Sequence, residues 1–545
     1  MKMISKWKKQ VFVLIVLSVL FFIVGNGSLS LTNPDEVFYM DSAKEMVAHN
    51  SWLTPYIFDQ PQFEKPIFTY WLIRLGFLMF GATPFAGRIF PALFALLGVI
   101  SVYFLALAGF RERKKAFFSA LILGSSALYL GLARTVFTDM VFSVLILLAL
   151  TVFYWGYSQR KRFGIILFFI FSALAVLTKG PLGILIPGSI ILIFLWLRKE
   201  LKFFLCPAAL WGIIIFSVIA LPWYALMLKT YGKDFIKEFW VNDHVRRIFQ
   251  AEHRSNDRWY FYPFSMLGCM YPWTLYVGAG LWTLFSRLKK GKDAFLVFIA
   301  CWLAVVFAVF HPAHSKLVSY IFPLFPALAL LAGSFLVDKV FPGKSKSGRA
   351  FGRLTALIIL VIPIAVRVAA VKYPLYFVSS QSTLILAFLG WFFAFGSLIF
   401  VFLSKPRVAF FIQAGVIPVF LILIPLINIE PYVSSRSVCE YLSSQPVGRS
   451  VVICSKAFVR GVRFYTGVQA AVFDSGSDNF FSPHPIPFLN TSQKLQDFLV
   501  KQPLTYCVLK KSAIDDLECL AGEKYQTTLL KVVGNEYVLK LEHRK

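Results

Sequence analysis

The chain has 545 residues, of which 58% are hydrophobic and 15% charged, and it carries 59 Phe, 22 Tyr and 13 Trp. A soluble globular chain of this length needs far more polar surface, so the composition excludes that class and implies membrane helices with aromatic belts at both interfaces. The formal charge of +28 does not point to nucleic acid, because the Lys and Arg residues are scattered through short loops instead of forming a continuous basic domain.

The N-terminus, MKMISKWKKQ, is followed by an apolar run over 11–31. That run is too long for the core of a signal peptide and no small-residue cleavage site follows, so it reads as a retained first helix. Lys2, Lys6, Lys8 and Lys9 hold its start in the cytoplasm. Basic clusters at 111–115, 160–162, 198–202, 287–292, 339–353 and 405–407 then mark successive returns to the cytoplasm. Each interval holds two spans of about 20 residues, which gives about thirteen transmembrane helices, an inner N-terminus and an outer C-terminus.

The expected fold class is therefore an all-α polytopic membrane protein over residues 1–427, with a small α/β domain outside the membrane over 428–545. Two outer loops, 32–87 and 227–262, are polar enough to hold a site. In the first, 41–49 and 66–80 read as amphipathic helices along the interface. In the tail, VVIC, AAVF, TYCVLK and EYVLKL read as strands and SQKLQDFLV as a helix. Cys206, Cys269 and Cys301 fall in or beside apolar helices as packing residues, while Cys439, Cys454, Cys507 and Cys519 place four thiols in the tail, where an oxidising face would permit a disulfide. No internal repeat is visible, which argues against a repeat-built transporter.

The candidate chemistry lies at the outer ends of the spans. Asn33-Pro34-Asp35-Glu36 places two carboxylates just past the first helix, where they suit a base or a metal; the plain structural alternative is Asp35 as a helix N-cap. Phe63-Glu64-Lys65-Pro66 puts a compact cation at the membrane surface, suited to a phosphate. Arg134 and Asp139 are flanked by apolar helices, where unpaired charge is costly. Lys179, in the turn Thr178-Lys179-Gly180-Pro181, and Lys316, in His311 to Lys316, repeat the pattern, with interfacial snorkelling as the alternative. His244, Arg246, Glu252, His253 and Arg254 form the densest polar cluster of the second loop; salt-bridged packing is its default, and a divalent metal, zinc or magnesium, held by His253 with Glu64 is the rarer reading.

Taken in order, Asp35-Glu36 with Tyr39, Phe63-Glu64-Lys65-Pro66 before Tyr70-Trp71, Arg88, Thr138-Asp139, Thr178-Lys179-Gly180-Pro181, and Ser315-Lys316 before Tyr320 to Pro326 resemble the GT-C glycosyltransferases of the protein O-mannosyltransferase superfamily. The nearest likeness is to the bacterial branch that transfers aminoarabinose from undecaprenyl phosphate to lipid A. The resemblance implies a multi-pass inner-membrane enzyme acting on its periplasmic side, with no nucleic-acid partner. It implies Asp35 as principal catalytic carboxylate, Asp139 and Glu36 as further acids, and Lys65, Arg88, Lys179, Tyr39, Lys316 and Arg134 around the donor phosphate or substrate. It also implies Glu64 and His253 as the candidates for a metal. Gln62 stands where that branch often has tyrosine, and Val37-Phe38 where it commonly has Pro-Arg; both changes fall near the expected donor pocket, so the resemblance carries the reaction and leaves the sugar and the acceptor (lipid A, another glycan or a protein) open. The rival reading is a lipid-linked sugar flippase, which has no need of acids clustered at one membrane face.

Overall fold

The computed structural model describes residues 2–251, 254–289, 293–342, 346–423, 427–448, 450–475, 486–502, 504–522 and 524–544. The chain divides into two compact units: residues 1–26, 63–72 and 88–427 form the first, and 27–62, 73–87 and 428–545 the second.

The first unit is helical. Among the described residues, six helices are long and apolar enough to cross a membrane, seven if the bent pair Arg113–Gly124 and Ala127–Ala133 counts as one span, and five apolar helices of 10–17 residues accompany them. A helix such as Thr138–Ser158, with 21 residues, rises about 30 Å and matches the hydrocarbon thickness. Thr138–Ser158 and Val318–Val340 are the most enclosed spans. Hydrophobic all round and surrounded by other helices, they form the centre of the unit. Its interior mixes aliphatic and aromatic side chains: Trp302 is buried and donates its indole N–H to the Pro323 carbonyl at 2.9 Å, and buried Trp273 donates to Ser125 Oγ at 3.0 Å. Both polar edges are thus satisfied inside an apolar core.

The second unit is built on a six-stranded sheet. Its strands are β3 (Val452–Ser455), β4 (Ala470–Phe473), β5 (Phe488–Leu489), β6 (Leu504–Leu509), β7 (Tyr525–Val533) and β8 (Glu536–His543), in the order β5-β4-β3-β6-β8-β7. Strands β1 (Tyr56–Ile57) and β2 (Gln60–Pro61) form a separate short hairpin. β3 pairs in parallel with both β4 and β6, whereas β8 runs antiparallel to β6 and β7. Every residue of β3 and β4 is buried, as parallel strands covered on both faces require. The four tail strands and the helix Ser492–Lys501 expected from the sequence are present. β7 was not expected: it is an edge strand, exposed along much of its length, so its sequence lacks the apolar run that marks the central strands. The β7–β8 hairpin turns through Gly534 at φ +61°, and a Cβ at that position would collide with the Pro431 carbonyl. Glycine is therefore required there for both conformation and space. All seven cysteines carry free thiols.

The helix Asp35–Ala48 departs from the one-sided amphipathic pattern expected for the first loop. Ten of its fourteen residues are buried, Glu36, Asp41 and Glu45 among them. Its polar face is covered within the same unit by the helix Val459–Thr466: Arg463 reaches Glu45 at 3.1 Å, Lys44 donates to the Phe464 carbonyl at 3.0 Å, and the Arg460 guanidinium lies 4.5 Å from the Phe38 ring centre.

Candidate active site

In the first unit, side chains from five separate segments join in one charged network. Lys65 donates to Asp243 Oδ2 at 2.7 Å, and Arg247 approaches Asp243 Oδ1 at 3.0 Å. Arg247 also donates to the Tyr320 hydroxyl at 2.5 Å. Lys179 lies 4.7 Å from the centre of the Tyr320 ring and donates to Asp139 Oδ1 at 2.5 Å. Lys179 is within electrostatic reach of Lys65 and Asp243 as well. Three cations and two carboxylates leave one net positive charge. The side chains of Lys65, Asp243, Lys179 and Asp139 are each at most 13% exposed. Charges so poorly hydrated interact strongly with an incoming anion.

Local structure explains each placement. Asp139 stands in the first turn of Thr138–Ser158, where the helix dipole favours a carboxylate. Lys179 is the last residue of Phe163–Lys179, the end that favours a cation. Asp243 and Arg247 are four residues apart across the junction of the π-helical segment Ile236–Val245 and the turn Arg246–Phe249, so their side chains share a face. Two further main-chain bonds, from His314 N to the Ile248 carbonyl and from Ser315 N to the Arg247 carbonyl, tie this turn to the segment that leads into Tyr320.

The remaining expected residues of this unit take other places. Arg88 and Arg134 both meet the C-terminal end of the first helix: Arg88 donates to the Asn26 carbonyl at 3.1 Å, and Arg134 to the carbonyls of Phe21 and Val24 at 3.0 and 2.9 Å. Guanidinium groups there complement the helix's terminal carbonyls. Lys316 is buried and pairs with Asp257 at 2.9 Å, and His314 meets the other oxygen of the same carboxylate at 2.8 Å. These two partners hold the Asp257 carboxyl below its usual range. Glu64 lies within electrostatic reach of Glu238; His253 lies outside the described residues.

The second unit holds Asp35, Glu36 and Tyr39. Pro34, not Asp35, occupies the N-cap position of Asp35–Ala48, and Asp35 is exposed in the first turn. Glu36 is buried and accepts from both Thr32 N and Thr32 Oγ1, at 3.0 and 2.9 Å, so its carboxylate fixes the turn that presents Asp35. Tyr39 is buried against Phe38, with ring centres 5.1 Å apart. One turn further on, Glu45, His49 and Asp59 bring one ligand-type atom each within 4.8 Å of one another, the one such trio among the described residues. Glu45 is already engaged by Arg463 and by the main-chain N–H groups of Phe58 and Asp59, an arrangement that satisfies the carboxylate without a metal.

Asp41, on the same helix, is buried and its Oδ2 accepts no hydrogen bond. Burial pushes its carboxyl up to about 7, aided by Glu45 and opposed by Arg463, Lys44 and Arg460. Between the unfolded carboxyl range near 4 and pH 7, the folded chain holds a proton that the unfolded chain has lost. Stability therefore falls as pH rises through this window and is flat above it. Asp41→Asn removes the titration. The variant is expected to gain on the wild type by a few kcal/mol between pH 5 and pH 8, read as melting temperatures in detergent; an equal difference at both pH values contradicts this.

Sequence reasoning singled out Lys65, Asp139 and Lys179, and the structure brings these three together. It passed over Asp243 and Arg247. The signal for them was the i, i+4 opposite-charge pair inside Asn242-Asp243-His244-Val245-Arg246-Arg247.

Residues 7–233 match the family described as dolichyl-phosphate-mannose-protein mannosyltransferase. An uncharacterized protein of Aquifex aeolicus is 31% identical over 335 residues, covering 60% of this chain and 64% of its own length. The undecaprenyl phosphate-alpha-4-amino-4-deoxy-L-arabinose arabinosyl transferase 1 of Pseudomonas fluorescens is 29% identical over 379 residues, 68% of each chain. The chain thus spans 64% and 68% of the lengths of these two relatives. Among solved structures, ArnT from Cupriavidus metallidurans bound to undecaprenyl phosphate superposes with a TM-score of 0.77 at 18% identity, covering 97% of both chains. The apo oligosaccharyltransferase of Archaeoglobus fulgidus gives 0.55 at 12% identity, over 96% of this chain and 73% of its own. At such identities these likenesses speak for the fold alone.

Proposed function

We propose that this chain, which belongs to the ArnT-like branch of the GT-C membrane glycosyltransferases, moves one sugar from a polyprenyl monophosphate, undecaprenyl phosphate by analogy, to an acceptor at the periplasmic face of the inner membrane. The observation that carries this reading is the network in which Lys65, Arg247 and Lys179 surround two carboxylates with one net positive charge. A phosphate monoester leaving group develops charge on oxygen, and preset cations in a poorly hydrated site stabilise that charge selectively in the transition state.

In this reading the bond between the sugar's anomeric carbon and the phosphate oxygen breaks, with the electron pair going to the phosphate, and a bond to the acceptor oxygen forms. If the acceptor is a hydroxyl, Asp35 takes its proton. If it is an anionic phosphate, as on lipid A, no base is needed and Asp35 orients the groups. Asp139 holds the Lys179 ammonium at its station, and Glu36 holds the turn bearing Asp35. Arg88 and Arg134 act through the end of the first helix, Lys316 through the second outer loop, and Tyr39 through the wall beside Asp35. Glu64, with His253, is the place for a divalent cation, which would add positive charge near the donor. Residues 1–427 serve as the catalytic membrane domain with about thirteen spans, an inner N-terminus, and 428–545 as a periplasmic domain.

The network makes a prediction about carrier binding. Arg247→Ala is expected to weaken binding of undecaprenyl phosphate by about tenfold, the equivalent of roughly 1.4 kcal/mol, and to leave undecaprenol binding unchanged, both read by quenching of intrinsic tryptophan fluorescence in detergent. Equal losses for phosphate and alcohol would place Arg247 outside the phosphate site. A flippase also binds the carrier but leaves the sugar–phosphate bond intact, so release of free undecaprenyl phosphate from a sugar-bearing donor separates the two readings.

A further inference from the structure

The first unit carries a cleft along the helix Thr274–Leu288 that the proposed reaction does not use. Two hollows, of about 850 and about 520 Å³, border this helix and share Leu267, Thr274 and Gly278. They meet at Gly278, where a Cβ would find nothing within 4 Å, and the exposed side chains of Trp282 and Phe285 stand as walls, one in each hollow. From Thr274 to Arg287 the cleft follows about 20 Å of helix, more than the roughly 15 Å of hydrocarbon in a single leaflet.

The two hollows differ in chemistry. The smaller is lined by Met266, Leu281, Leu303, Phe307 and other apolar side chains, and its one hydroxyl, on Thr274, donates to the Leu267 carbonyl. The larger ends on Arg287 and Lys339. Its other hydroxyls, on Thr283 and Ser286, donate to carbonyls of their own helix at 2.8 and 2.9 Å, so the two cations dominate its polar end. Asp338 pairs with Arg287 at 3.0 Å and with Lys115 at 2.8 Å, and Lys115 also reaches Glu112 at 3.5 Å. Three cations and two carboxylates thus leave one positive charge at this end. Lys339 makes no ion pair among the described residues, and the fork of Arg287 has further N–H groups to offer beside the one that meets Asp338.

This charged end lies away from the candidate active site. Val318–Val340 has 23 residues and rises roughly 35 Å. Tyr320, a member of the charged network, stands in its first turn, and Lys339 in its last. The cations of the cleft therefore face the leaflet opposite to the network. A second copy of the chain is a poor occupant, since a molecule with a formal charge of +28 is an unlike source of the anion that the cleft calls for.

We infer that this cleft holds one anionic glycerophospholipid, with its phosphate between Arg287 and Lys339 and one acyl chain in each hollow. Basic pockets between membrane helices suit phosphate headgroups, and the two hollows meeting beside one helix suit a ligand with two apolar tails. A zwitterionic lipid brings the same tails, but its ammonium offsets the phosphate and meets the cations unfavourably. Phosphatidylglycerol and cardiolipin share the required chemistry, a phosphodiester without an ammonium.

The full chain, delipidated in a neutral detergent, is titrated with phosphatidylglycerol, cardiolipin, phosphatidylethanolamine and phosphatidylcholine, and the retained lipid is counted by native mass spectrometry. Binding is read without any sugar transfer, so this inference stands or falls separately from the enzymatic reading. Saturation at one phosphatidylglycerol or cardiolipin per chain is expected, at least tenfold tighter than phosphatidylcholine. Lys339→Ala and Arg287→Ala should each weaken phosphatidylglycerol about fivefold and leave phosphatidylcholine unchanged; Asp338 keeps Lys115 as partner in the second variant. Gly278→Leu, which fills the meeting point of the hollows, should weaken every phospholipid with the melting temperature retained. Equal affinity for phosphatidylglycerol and phosphatidylcholine, or phosphatidylglycerol binding unchanged by both Lys339→Ala and Arg287→Ala, overturns the inference. A dimer that persists without lipid and is broken by Gly278→Leu gives the cleft to a second copy and overturns it as well.

Discussion

Asp35→Asn is expected to lower the rate of sugar transfer by roughly 10²–10⁴-fold when the acceptor is a hydroxyl, the range ordinarily contributed by a positioned general base. The substitution keeps size and shape while removing the ability to take a proton. It should cost little stability, because Asp35 is exposed and Pro34 holds the N-cap position of its helix. The neighbouring carboxylate is no substitute: Glu36 is buried and accepts two hydrogen bonds from Thr32. Initial rates with one donor and two acceptors, one a hydroxyl and one a phosphate monoester, therefore report on acceptor chemistry. A large loss with the first and a small one with the second identify Asp35 as a base. Equal small losses with both remove it from the chemical step.

Lys65→Ala is expected to lower the same rate by about 10²–10³-fold, comparable to removing one preset donor from an oxyanion site. The cost arises because the Lys65 ammonium, 12% exposed and 2.7 Å from Asp243, is already desolvated and oriented before the phosphate arrives. Lys65→Arg should recover only part of the loss, since a planar fork does not reproduce a compact ammonium. Asp243→Asn tests the same network from the anionic side. Asp243 orients both Lys65 and Arg247 but also competes with the donor phosphate for them, so its loss should cost about tenfold or less, with a lower KM for donor partly offsetting a lower kcat. A larger effect at Asp243 than at Lys65 would reverse the assignment of roles.

The site was legible in the sequence where charge stands next to apolar runs. Lys65, Asp139 and Lys179 are isolated charges at the ends of helices, and a charge so placed has few explanations. Asp243 and Arg247 lie in a loop already rich in charge, where only their i, i+4 spacing distinguishes them. Arg134 shows the converse: its charge looked functional, and the structure reveals main-chain carbonyls at the end of the first helix as its partners, a relation between residues about 110 apart that no local pattern encodes. The tail strands β3, β4, β6 and β8 were visible as short apolar runs, whereas β7 was hidden by the exposure of an edge strand. The buried polar face of Asp35–Ala48 was hidden for a similar reason. Its cover, Val459–Thr466, lies some four hundred residues downstream. Among the described residues, the six long apolar helices and five shorter ones show why basic clusters do not locate span boundaries: a helix of 10–17 residues and one of 27 both fit an interval sized for 20.

Breakage of the carrier's sugar–phosphate bond by this chain is read directly as transfer from radiolabelled undecaprenyl-phosphate sugars, aminoarabinose first, by purified protein in defined micelles. Wild type, Asp35→Asn and Lys65→Ala would be offered lipid A and a total membrane glycan extract in parallel. With wild type, label in an acceptor and stoichiometric release of undecaprenyl phosphate are expected, and both are lost in each folded variant with a hydroxyl acceptor. An intact donor with every acceptor, together with movement of the labelled lipid across a vesicle membrane that survives Lys65→Ala, would contradict it.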